Sequence, residues 1–152
     1  MPDDAPAKVS AVMTAPSPFQ PELSLPFASS EGFESLIGLE ILELTDEQAR
    51  ARVEVRDELK QPAGLVHGGV YASIAESLAS WATARAVASD GKFVVGLSNQ
   101  TSFLRPITEG TIEALAVRRH RGRTTWVWEV EISDGDGRLC TLTRMTIAVR
   151  DR

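Results

Sequence analysis

The stretch GLVHGGVYASIAES, residues 64–77, holds a carboxylate and a glycine pair whose types and spacing suggest chemistry. Glu76 stands alone among glycine, alanine and serine, where a solvated helix face would carry several charged side chains. On a 100° per residue wheel, Val70, Ile74, Leu78 and Trp81 share one face. Glu76 points away from them, beside Gly69, Ala72, Ser73, Ala79, Ser80 and Thr83. So small a surface admits a second backbone, and the expectation is a partner chain against it. Two readings of Glu76 stay open: a structural carboxylate satisfied by the Ser73 and Ser80 hydroxyls, or a group that works on a bound molecule. The glycines after His67 also admit two readings. They are a turn before a helix, or free N–H donors at a helix start that polarise a carbonyl and stabilise an oxyanion.

Other chemistries find less support. No G-x-S-x-G motif is present for a serine nucleophile. Cys140 falls in a strand pattern with no histidine near it in sequence. Two histidines and one cysteine, far apart, argue against a metal site.

The elements that must position Glu76 are legible in outline. Six of the eight prolines lie in the first 26 residues, so residues 1–27 are expected to be a disordered or surface-draped tail and 28–152 one folded domain. SSEGFESLIG reads as a short helix with Ser30 as N-cap and Gly38 as stop. LEILEL and ARARVEVR read as strands around a turn at Asp46. The long helix is expected over roughly residues 69–88, with KFVVGLSNQTSFLRP as the next strand, ended by Pro106. TIEALAVRRH, TTWVWEVEI and LCTLTRMTIAVR follow as hairpins turning at RGR and DGDG, with Trp126, Trp128, Val130 and Ile132 on one face. Strands dominate, and one long helix needs a sheet to pack on. The fold expected is α+β: an antiparallel sheet wrapped around one long central helix.

The net charge of −5 argues against wholesale nucleic-acid binding, and no run is long and apolar enough for a membrane span. An acidic start and a single cysteine point to a cytoplasmic protein.

HGG followed by a helical glutamate, then a strand ending FLRP and the closing hairpins, resembles the hotdog-fold thioesterases over roughly residues 36–150. Within them it is most similar to the Arthrobacter-type 4-hydroxybenzoyl-coenzyme A thioesterases, relatives of the phenylacetate-pathway enzymes. The resemblance implies hydrolysis of an acyl-coenzyme A thioester, with an aromatic acyl group, and no cofactor. It makes Glu76 the nucleophile or general base and the Gly68 N–H the group that polarises the carbonyl. Gln61 and His67 orient the thioester, and Ser80, where related enzymes have threonine, positions Glu76. Arg105, Arg123 and Thr124 become the coenzyme A contacts, and arginine suits phosphate geometry. Arg123 replaces a smaller polar residue of the relatives. A non-catalytic acyl-coenzyme A-binding module and a hotdog dehydratase remain the alternatives.

Gly68 and Glu76 are eight residues apart, about 12 Å along a helix, whereas both must lie on the order of 3 Å from one thioester. The expectation is a homodimer with shared active sites, assembled further into a homotetramer.

Overall fold

The computed structural model describes residues 32–152; the tail and Ser30 lie outside the described residues. A short helix α1 (Phe33–Ile37) leads into strands β1 (Glu40–Leu44) and β2 (Gln48–Glu54). The long helix α2 (Gly68–Val87) follows, then β3 (Lys92–Phe103), β4 (Thr111–Arg121), β5 (Thr125–Asp134) and β6 (Leu139–Asp151). The N-cap of α1 is Gly32, with no side-chain bond, and Gly38 ends the helix at φ 74°, a left-handed conformation that suits glycine. β3 stops at Phe103, short of Pro106.

The six strands form one antiparallel sheet in the order β1-β2-β4-β5-β6-β3, which leaves β1 and β3 as edges. Alternation along β5 buries Trp126, Trp128, Val130 and Ile132 on the helix side, as their shared face predicts. α2 fills the concave side, with Ile74 and Leu78 fully buried.

The wheel is wrong at four residues. Ala79 and Thr83 are fully buried rather than on the small open face, while Val70 and Trp81 are only half-buried. For Thr83 the cause is β5, which packs Trp128 against this turn of α2. There the Trp128 Nε1–H donates to Thr83 Oγ1 (2.9 Å), and the Thr83 hydroxyl donates to Ala79 O (2.8 Å).

α2 runs antiparallel to β3, and a β-bulge sets what β3 shows it. Gly96 pairs with Ile147 and Ser98 with Thr146, so Leu97 is the extra residue. A bulge shifts the parity of a strand. Before it Gly96 faces the helix, and after it Asn99 and Phe103 do. Three contacts result. A Cβ on Gly96 would lie 3.3 Å from Glu76 Oε1, Asn99 Nδ2 donates to Ala72 O (2.9 Å), and the Phe103 ring would lie 2.9 Å from a Cβ on Gly68.

The buried indole bond yields a stability prediction. Thr83→Val keeps the shape but leaves the Trp128 N–H unpaired, and should lower unfolding free energy by about 1–3 kcal/mol. Urea unfolding checks this; no change in midpoint would mean the indole finds another acceptor.

Candidate active site

The loop before α2 is tied at its neck. Lys60 bridges Val66, Gln61 N–H donates to Leu65 O (2.8 Å) and His67 N–H to Leu59 O (2.8 Å). Val66 N–H donates to Ile107 O (2.9 Å), which fastens the loop to the chain beyond β3. Gly64 turns the loop at φ 82°. Gln61 and His67 therefore flank the entrance to α2 on fixed backbone. His67 is the N-cap: its Nδ1 accepts the Gly69 N–H at 2.9 Å. An accepting Nδ1 is neutral imidazole with its proton on Nε2. His67 thus caps the helix, and its Nε2–H remains a donor.

The Gly68 N–H makes no hydrogen bond among the described residues, as the first turn of a helix requires unless a cap or ligand supplies an acceptor. Glycine here lets the Phe103 ring lie against the helix start, 2.9 Å from where a Cβ would stand. The ring is itself 59% exposed, so it walls the helix start on one side and faces outward on the other.

Two turns on, Glu76 is exposed and its carboxylate has no hydrogen bond or ion pair among the described residues. The expected serine partners look elsewhere. Ser73 Oγ donates to Gly69 O (2.7 Å), and Ser80 lines the same groove one turn beyond Glu76 without bonding to it. A structural carboxylate satisfied by those hydroxyls is not what the chain builds.

The groove holds groups the sequence reading missed. α1 lies across α2, so Phe33 and Glu34 line the groove with Ser73, Glu76, Ser77, Ser80 and Trp81. Ser77 Oγ donates to Glu34 Oε1 at 3.0 Å and fixes this second carboxylate. The acid in FESLI and the serine after Glu76 are visible in sequence, but their meeting depends on how α1 docks. Gly96 is the other omission. Without a side chain it leaves room for the Glu76 carboxylate over β3.

The arginines separate into engaged and open ones. Arg118 and Arg121 both pair with Asp46 (3.3 and 2.8 Å) and lie over the Trp126 ring, stapling the β1–β2 turn to the β4–β5 hairpin. Arg119 pairs with Glu129. Arg105 and Arg123 are exposed and have no ion-pair partner among the described residues. Within one chain they are far apart. Arg105 N–H donates to Cys140 O at the start of β6, whereas Thr124 O accepts the Val149 N–H near its end. Nine residues of strand separate those points, about 30 Å at roughly 3.3 Å per residue. Arg105 belongs to the Gly68 end of the fold; Arg123 and Thr124 belong to the Glu76 end. Arg150, also missed in sequence, donates from Nη1 to Thr124 O (2.8 Å) and adds a cation there.

Cys140 is not an alternative nucleophile. It is fully buried, its Sγ–H donates to Arg138 O (3.1 Å), and burial pushes the thiol above its ordinary pKa. Among the described residues no helix is long and apolar enough to cross a membrane.

The site therefore offers an uncommitted N–H at a helix start, an uncommitted carboxylate on the same helix, and open cations at both ends. Residues 63–141 match the model of the thioesterase superfamily. A Mycobacterium tuberculosis protein that carries an esterase name is 40% identical over 126 residues, 82% of this chain and 88% of the relative. A 1,4-dihydroxy-2-naphthoyl-CoA hydrolase of Listeria monocytogenes is 35% identical over 121 residues, 80% of this chain and 98% of the relative. The solved structure of a Haemophilus influenzae thioesterase superposes with a TM-score of 0.76 at 33% identity, covering 80% of this chain and 85% of that one. The sheet around its long helix is the hotdog fold, and the chain belongs to the thioesterase superfamily as a hydrolase of thioester bonds.

Proposed function

We propose that this thioesterase hydrolyses an aromatic acyl-coenzyme A of the 4-hydroxybenzoyl or dihydroxynaphthoyl kind, with Glu76 as the reacting carboxylate, in the manner of the Arthrobacter-type enzymes. The observation that carries the reading is the exposed Glu76 carboxylate, without a partner among the described residues, over the open space at Gly96. Glu76 supplies the nucleophile, either its own oxygen or a water that it deprotonates. The Gly68 N–H takes the charge that develops on the carbonyl oxygen, in a field already favourable to anions at a helix N-terminus. Gln61 and the His67 Nε2–H stand at the neck of the same loop and orient the thioester. Ser80, in the same groove, positions Glu76 or the water.

The acyl assignment rests on the groove beside Glu76. Phe33 and Trp81 supply aromatic surface, and Glu34, held by Ser77, supplies an acceptor for a phenolic hydroxyl. The naphthoyl-coenzyme A hydrolase among the relatives supports an aromatic acyl group.

The site is shared between two chains. Among the described residues β3 is an unpaired edge of twelve residues whose Phe93, Val95 and Leu97 are exposed, a template for a second strand. Antiparallel pairing of two copies of β3, with Gly96 of one at the level of Phe103 of the other, brings Gly68 of one chain beside Glu76 of its partner. The same two-fold operation carries Arg123 and Thr124 of one chain toward Arg105 of the other. The two ends of a single chain thus become the two halves of one coenzyme A site. A homotetramer of two such dimers, working in the cytoplasm, completes the proposal.

Two measurements test the function. Glu76→Ala should lower kcat on 4-hydroxybenzoyl-coenzyme A by roughly two to four orders of magnitude in a folded protein; near-wild-type turnover would remove Glu76 from the mechanism. Arg105→Ala and Arg123→Ala should raise KM for the acyl-coenzyme A several-fold, on the order of one lost phosphate contact, and leave KM for the matching acyl-pantetheine nearly unchanged. Equal effects on both substrates would place these arginines away from the nucleotide.

A further inference from the structure

One polar chain in the molecule has no part in the reaction as described above. It crosses from α2 to β3 to β6 and begins one helical turn before Glu76. Thr101 Oγ1 donates to Asn99 Oδ1 (2.7 Å), and Thr101 Oγ1 lies 2.9 Å from Thr143 Oγ1. A hydroxyl has one proton, so Thr143 is the donor to Thr101. The Asn99 amide is thereby fixed with its oxygen toward Thr101 and its Nδ2 toward α2, where it donates to Ala72 O at 2.9 Å. Thr143 is fully buried and Asn99 half-buried, so the chain sits inside the sheet–helix contact.

The acceptor matters. In an α-helix each carbonyl receives the N–H four residues on. Ala72 O therefore accepts the backbone N–H of Glu76 and, in addition, the side chain of Asn99. Asn99 reaches that carbonyl because the bulge at Leu97 turns it inward; with unbroken alternation, a strand that shows Gly96 to the helix would show Ser98 and Gln100 rather than Asn99. An amide on a packed helix–sheet contact would be expected only where its groups are satisfied, and here they are.

We propose that Asn99 is a positioning residue for the thioesterase reaction, fixing through the Ala72 carbonyl the height of the Glu76 turn over β3. This rests on the catalytic reading of Glu76. The neighbouring contacts give the bond its consequence: Gly96 sits under the carboxylate and Phe103 against Gly68, so a slide of α2 along β3 moves both reacting groups at once.

The test is a set of kcat and KM measurements on 4-hydroxybenzoyl-coenzyme A. Asn99→Leu keeps the bulk and removes the donor. Asn99→Asp keeps the shape and sets an oxygen against the Ala72 carbonyl, so one remains informative if the other fails to fold. Each should lower kcat about 10- to 100-fold with KM within about threefold, the pattern of misplacement rather than lost binding. Thr83→Val, a destabilised helix variant away from the groove, should keep kcat within about threefold. In a Glu76→Ala background the Asn99 substitutions should change the residual rate less than about twofold, because the group they position is gone. Folded Asn99 variants with near-wild-type kcat would overturn the proposal, as would an equal loss in both backgrounds. A fully active Glu76→Ala would instead remove the reading beneath it, whatever Asn99 does.

Discussion

A helix is rigid over two turns, and that rigidity governs this molecule. α2 holds the Gly68 N–H and the Glu76 carboxylate about 12 Å apart at 1.5 Å per residue. No side-chain motion lets one chain bring both to a single thioester. The fold answers with an open edge. β3 runs beside α2 from Phe103 at Gly68 to Gly96 at Glu76, presents exposed apolar side chains and is an edge of the sheet among the described residues. Small residues and close backbone approach, at Gly68, Ala72 and Gly96, let helix and strand share one register. The Gly68 N–H, the Glu76 carboxylate and the edge strand are thus parts of one contact.

The charge distribution follows the same division. Most arginines of the β4–β5 hairpin are engaged with Asp46, Glu129 and the Trp126 ring, and they hold the hairpin rather than a ligand. Of the candidate coenzyme A contacts, Arg105 stands at one end of the sheet, and Arg123, with Arg150 beside Thr124, at the other. Neither end alone resembles a nucleotide site. The two-fold operation proposed to join Gly68 to the partner's carboxylate would also join these ends, so two features of one chain are consistent with the same arrangement.

Much of this is legible in the sequence, for identifiable reasons. Alternation in TTWVWEVEI and the turn residues in DGDG report local structure, and local structure is what periodicity measures. Glu76 stands out in the sequence as a lone carboxylate among small residues, and the structure leaves it exposed and without a partner among the described residues. The misses share a cause. Glu34 enters the groove only when α1 docks on α2, and Asn99 faces the helix only because a bulge changes the parity of β3. Thr83 is buried where Trp128 of β5 packs on it, a contact distant in sequence that a helical wheel cannot represent. Which arginines are free depends on Asp46 and Glu129, distant in sequence.

The shared site is tested most directly by mixing subunits. Glu76→Ala subunits refolded in equal amount with Gln61→Ala subunits form mixed dimers in which both lesions fall in one site and the other site is intact. Random pairing makes about half of the dimers mixed, so about a quarter of wild-type activity should return. If mixed dimers are shown to form and activity stays at the mean of the two parents, Glu76 works on a carbonyl held by donors of its own chain.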